Sequence, residues 1–98
     1  MDSKLLELRQ NAYSAAVNYH RAAGEYFAAL NPSSQTRNIG DVAQDSLEAA
    51  ERYSLALSKL SAHLKTLESS EEIAVETERA EKLLELLSRE MRLILRAT

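Results

Sequence analysis

Between Leu5 and Leu30, the polar residues Glu7, Gln10, Asn11, Ser14, Asn18, Arg21 and Glu25 fall on one narrow strip of a helical wheel. At about 100° per residue that strip covers roughly 100° and leaves roughly 240° mostly to Leu, Ala, Tyr, Val and Phe. A surface helix hides a much narrower stripe. The pattern predicts a first helix that is a central element, covered by its own chain and by a partner as well. What it points to is association.

The rest of the chain supports helix and little else. It has 98 residues with two Gly, one Pro and 5% aromatics, and Ala and Leu dominate; that bias favours helix throughout. A composition 45% hydrophobic and 28% charged belongs to a folded soluble chain, and the length suits one domain over 1–98.

Three segments carry three-four periodicity. The first runs over about 3–30, capped by Asp2 or Ser3 and stopped by Pro32, which drives Asn31 out of the α region. A polar loop follows over 31–40. Asp41 opens the second helix, over 41–68, with Gln44 as its capping-box partner, and Val42, Ala49, Tyr53, Ala56, Leu60, Leu64 and Leu67 keep the spacing. Ser69 with Glu72 forms another capping box before the third helix, over 70–96. There Ile73, Thr77, Ala80, Leu84, Leu87, Met91 and Ile94 form the tidiest heptads. Short connections between long helices require antiparallel neighbours. The expected fold is all-α, an elongated antiparallel three-helix bundle. Fusion of the second and third helices into one rod is the competing architecture, and the capping box at Ser69 argues against it.

Small residues set the closest packing. Ala12, Ala15, Ala16, Ala22, Ala23 and Gly24 on the first helix face Ser46, Ala49, Ala50, Ser54 and Ser58 on the second, and small side chains let helix axes approach toward 8 Å. Antiparallel pairing brings Tyr19 to Tyr53, and Ala12 and Ala16 to Ser58 and Ser54. Gly24 in mid-helix, where Ala is better by roughly 1 kcal/mol, predicts a close neighbour at that point.

Several function classes are disfavoured. A net charge of −3 gives no basic footprint for nucleic acid. The absence of cysteine removes disulfide and thiolate chemistry. No apolar run reaches the 18 residues of a membrane span, and Ser88–Thr98 is too short and too interrupted by Glu90 for a membrane-surface helix. Met1-Asp2-Ser3-Lys4 leads straight into amphipathic sequence without a signal-peptide core. A cytoplasmic location is the expectation.

Histidine is the natural place to look for chemistry. Neither His20 nor His63 has a carboxylate or a second His at i±3 or i±4, so the Glu-x-x-His and His-Glu-x-x-His metal signatures are absent. His20 with Arg9 is the only grouping from which an enzyme reading starts. Ser61-Ala62-His63-Leu64-Lys65-Thr66-Leu67 resembles the phospho-accepting histidine segments of two-component signalling, which also lie on helices of bundles. That resemblance implies a phosphoryl group on His63. It covers only this segment, and it departs from the phosphotransfer pattern in placing Lys65 two residues after the histidine rather than three. It also departs from the kinase pattern, where Leu64 and Leu67 stand in place of an acidic residue and a proline.

Association residues are easier to name. Tyr13, Tyr19, Tyr26 and Phe27 put most of the aromatic mass on the first helix, and Tyr is a typical interface anchor. The third helix carries a second apolar line, Val75, Leu86 and Leu93, set apart from its main stripe by Glu76 and Glu90. A three-helix core does not need that line, but a coiled-coil neighbour reads it. The expected function is a non-enzymatic, self-associating or partner-binding adaptor or small chaperone-like bundle. Its contacts are Tyr13, Tyr19, Tyr26, Phe27, Leu86 and Leu93, with a protein or a second copy as partner and no cofactor or metal. A phosphotransfer bundle using His63 is the alternative.

Overall fold

The computed structural model describes residues 2–31 and 38–97. It contains three helices, α1 (Ser3–Ala29), α2 (Ile39–Leu64) and α3 (Glu71–Ala97), packed into an elongated bundle with extents of 51 × 22 × 16 Å. The backbone leaves the helix at Lys65–Leu67, so α2 and α3 are separate elements. Among the described residues no helix is long and apolar enough to cross a membrane.

Each boundary has a local cause. Asp2 caps α1, its Oδ1 accepting from the Leu5 amide at 3.0 Å. Asn38 caps α2 in place of Asp41, its Oδ1 accepting from the Gly40 amide at 2.7 Å, so this helix starts two residues earlier than the sequence suggested. Gln44 takes no part in a capping box; its side chain donates to Glu48 one turn on, at 3.1 Å. Ser70 rather than Ser69 opens α3, accepting from the Ile73 amide at 3.2 Å. The end of α2 at Leu64 also falls short of 68, because Thr66 and Leu67 hydrogen-bond in tighter turns. Within the 31–40 connection, residues 32–37 lie outside the described residues.

The central element is α2, which corrects the expectation for the first helix. Its buried positions run from Val42 and Ala43 through Ser46, Ala49, Ala50, Tyr53, Leu57, Leu60 and Ser61 to Leu64, an arc of about 120°. It packs against α1 on one side and α3 on the other, whereas α1 and α3 nowhere bring described Cα atoms within 8 Å. The buried positions of α1 (Leu5, Leu8, Ala12, Tyr19, Ala22, Ala23 and Tyr26) span only about 100°. Small residues do tighten the α1–α2 contact: buried Ser46 donates its hydroxyl to the Ala22 carbonyl at 2.9 Å. Tyr19 and Tyr53 meet as expected, with ring centroids 6.1 Å apart. Ser58, by contrast, is exposed and Ser54 half-buried. Gly24 is also exposed, and a Cβ there would meet nothing within 4 Å. The close neighbour predicted for it is absent.

Candidate association groove

Because α1 and α3 both lean on α2 without approaching each other, a groove opens between them with α2 as its floor. Its widest part is an open cleft of about 690 Å³. Ala12 and Ala16 of α1 and Ala80 and Leu83 of α3 form its walls, and Tyr53, Leu57 and Leu60 its base. The alanines explain the volume: a wall of small side chains leaves room that Leu or Met would fill. Tyr13 and Val75, both more than half exposed, stand on the rim.

Two polar straps cross from α1 to α3. The Arg9 guanidinium donates twice to Glu76, from Nε at 2.8 Å and from Nη2 at 2.5 Å, in the bidentate geometry that arginine and carboxylate favour. This contact, then the cost of partial burial, shape the Glu76 carboxyl, with a net fall below its ordinary pKa; the Arg9 value is raised by the same hydrogen bond. Further along, the hydroxyl of buried Tyr19 donates to Glu90. Burial first, and then that carboxylate, raise the Tyr19 phenol above its usual pKa. Burial alone does the same for Tyr53. The phenols therefore stay neutral and Glu76 stays charged near neutral pH. Beyond the Tyr19 strap a smaller cleft of about 120 Å³ continues the groove, lined by Tyr19, Tyr26, Phe27, Leu30, Leu93 and Ile94.

Five of the six residues singled out as contacts line these two clefts, Leu86 lying on α3 outside both, and they are in two different conditions. Tyr13, Phe27, Leu86 and Leu93 are 73%, 63%, 49% and 63% exposed. Tyr19 and Tyr26 are only 3% exposed, serving as walls of the groove rather than as projecting anchors. Tyr26 and Phe27 stack edge-on at 5.5 Å, which places one ring inside and its neighbour outside. Sequence reasoning passed over Leu6 and Val17, both about half exposed and within about 40° of Tyr13 on the wheel. Their spacing to Tyr13 was the available signal.

The histidines fall elsewhere. His63 Nε2 lies 2.8 Å from Asp2 Oδ2, joining the end of α2 to the cap of α1. The hydrogen bond from His63, then that from the Leu5 amide, holds the Asp2 carboxyl below its usual pKa. His20 is exposed, its ring against Tyr19 at 5.7 Å. Arg9 is engaged by Glu76, and eleven helical residues separate it from His20, about 16 Å, so the structure does not bring that pair together. Among the described residues no group of three His, Asp or Glu side chains is placed to hold a metal ion.

Comparison with protein-family models, curated proteins and solved structures returns no match for this chain.

Proposed function

We propose that this chain is a non-enzymatic protein–protein association module, an adaptor or small chaperone-like bundle whose α1–α3 side receives a helix of a partner or of a second copy. One observation carries the reading: Tyr13, Phe27 and Leu93 are exposed at the clefts where the two helices part over an apolar floor, with exposed Leu86 one heptad before Leu93 on α3. Scattered exposed apolar residues are ordinary, but here Tyr13, Phe27 and Leu93 border apolar clefts between two helices, the kind of surface that takes the apolar anchors of an amphipathic helix. A cytoplasmic setting suits a chain that uses no cysteine. A phosphotransfer role for His63 draws less support, since the Asp2 carboxylate at its Nε2 would repel a phosphoryl group on that nitrogen.

The test is absolute mass by light scattering across a concentration series. Association reads as mass above the 10.9 kDa of one chain, returning to that value in Leu86→Asp with Leu93→Asp while circular dichroism keeps its helical signal. A wild type that stays at one chain throughout ends the self-associating form. The reading would then need a different protein whose measured affinity falls at least tenfold in Tyr13→Asp with Phe27→Asp, and an unchanged affinity would end it.

A further inference from the structure

We propose that the smaller cleft, beyond the Tyr19 strap, binds the trimethylammonium head of an organic cation whose remainder is uncharged. The chain has four tyrosines and one phenylalanine. Three of these rings, Tyr19, Tyr26 and Phe27, meet around a space of about 120 Å³, and the Glu90 side chain lines the same space. Tyr26 and Phe27 have ring planes 60° apart, so they present two walls that are not parallel. Tyr19 stands two turns before Tyr26 on the same face of α1 and supplies a third. Leu30, Leu93 and Ile94 complete the lining.

An aromatic ring has a negative face, and a cation within about 6 Å of its centre is attracted to it. Three rings around one small space favour positive charge where an aliphatic cleft would be indifferent. Glu90 adds a full negative charge. Among the described residues it enters no ion pair, and its contact with the Tyr19 hydroxyl engages one oxygen and leaves the other. That hydrogen bond also draws the phenol proton toward the carboxylate, which makes the Tyr19 ring richer in electrons. The wider cleft differs: Arg9 and Arg79 stand on it among three glutamates, and its charges are mixed.

The lining also selects the kind of cation. A lysine-type ammonium brings three N–H donors that need partners once out of water, and the walls here are mostly apolar. A trimethylammonium has no N–H to satisfy and carries its charge behind methyl groups that suit such walls. Its size agrees, since 120 Å³ is about four times the roughly 30 Å³ share of a water molecule, room for one nitrogen and three methyls. No Lys or Arg lines the cleft, so the carboxylate of glycine betaine finds no partner there. Choline, which carries a hydroxyl instead, needs none.

Titration of choline into the isotope-labelled full chain tests the site by NMR. Saturable amide shifts should be confined to residues near Tyr26–Leu30 and Glu90–Ile94. The neutral isostere of choline, with a tert-butyl group in place of the trimethylammonium, should bind about tenfold more weakly, and glycine betaine more weakly than choline. Phe27→Leu removes a ring at an exposed position but keeps an apolar side chain. Glu90→Gln removes the charge but keeps an acceptor for the Tyr19 hydroxyl. Each should weaken choline by about threefold or more and leave the isostere unchanged, with circular dichroism confirming the helices. Acetylated trimethyl-lysine amide separates two sources of the same head: tighter binding than choline assigns it to a modified protein, weaker binding to a free small molecule. Equal binding of choline and its isostere makes the cleft merely apolar and overturns the cation site. So do shifts elsewhere, a response that never saturates, or unchanged choline affinity in both variants. Betaine binding as tightly as choline overturns the uncharged remainder. Self-association is read separately, from mass, and stands or falls without this site.

Discussion

Gly24 sits on the exposed side of α1 with open space where its Cβ would be and without a positive φ, so nothing in the fold requires glycine there. Gly24→Ala should raise the unfolding free energy by about 0.5–1 kcal/mol through helix propensity and a less flexible unfolded chain. Thermal unfolding should show this as a rise of several degrees; no rise would contradict the open surroundings of Gly24. Two carboxylates contribute to the acid limb of stability. Asp2, through His63 and its cap, and Glu76, through Arg9, both have folded pKa values below their ordinary 3.8 and 4.5. Lowered folded values mean stabilisation fully present above those ordinary values and lost as pH falls through the folded ones. Their share of wild-type stability should therefore decline modestly below about pH 4. In Asp2→Asn, which keeps a capping side chain, and in Glu76→Gln, the decline should be shallower. Denaturant titrations between pH 2 and 6 would show it, and parallel curves for the three proteins would refute it. Asp2 was legible as a cap because an acidic residue precedes the first apolar repeat. Its bond to His63 was not, since 61 residues separate the two and only the antiparallel return of α2 brings them together.

At the scale of the element, α2 carries the fold. Leu64 is fully buried and packs in the main core, whereas Leu84 of α3 is only partly buried against it. Leu64→Ala should cost about 2–5 kcal/mol, as buried leucine truncations do. Leu84→Ala should cost about 1–2 kcal/mol, because part of that side chain is already in water. Equal losses in urea unfolding would contradict the central place of α2. That place was misread from sequence for an identifiable reason. Alanine counts as apolar on a wheel, yet it is the best helix former in or out of water. In α1 the alanines widened the apparent face: Ala28 is exposed, and Ala15 and Ala29 are half-buried. In α2, Ser46 and Ser61 are buried and narrowed it, reading as polar while serving as small residues at helix contacts. Three helices, their antiparallel order and the meeting of Tyr19 with Tyr53 followed from periodicity and loop length alone. Which helix stands in the middle depends on where alanine and serine point, and composition does not encode that.

At the scale of the whole molecule, the three helices form a one-sided assembly. Among the described residues α3 contributes three buried apolar side chains, Ala80, Leu87 and Ile94, each one heptad from the next. Its grip on the bundle is one narrow seam against α2, plus the straps from Arg9 and Tyr19 across the groove. Exposed ion pairs of the Arg9–Glu76 kind contribute about 0–1 kcal/mol, so the straps orient α3 more than they hold it. Local stability follows buried contact, and in the isolated chain the amides of α3 should exchange with solvent faster than those of α2 between Ala49 and Leu60. If α3 takes part in self-association, its protection must then depend on protein concentration, because only the associated form covers Leu86 and Leu93. The amides of α2, already enclosed on both sides, should change much less. Hydrogen-exchange mass spectrometry at two concentrations on either side of the dimer dissociation constant separates the cases. Protection rising in α3 while α2 is nearly unchanged places the contact on α3. A uniform rise along the chain would mean that dimerisation is coupled to folding of the entire bundle, so that the lone chain is less self-sufficient than its α2 core implies.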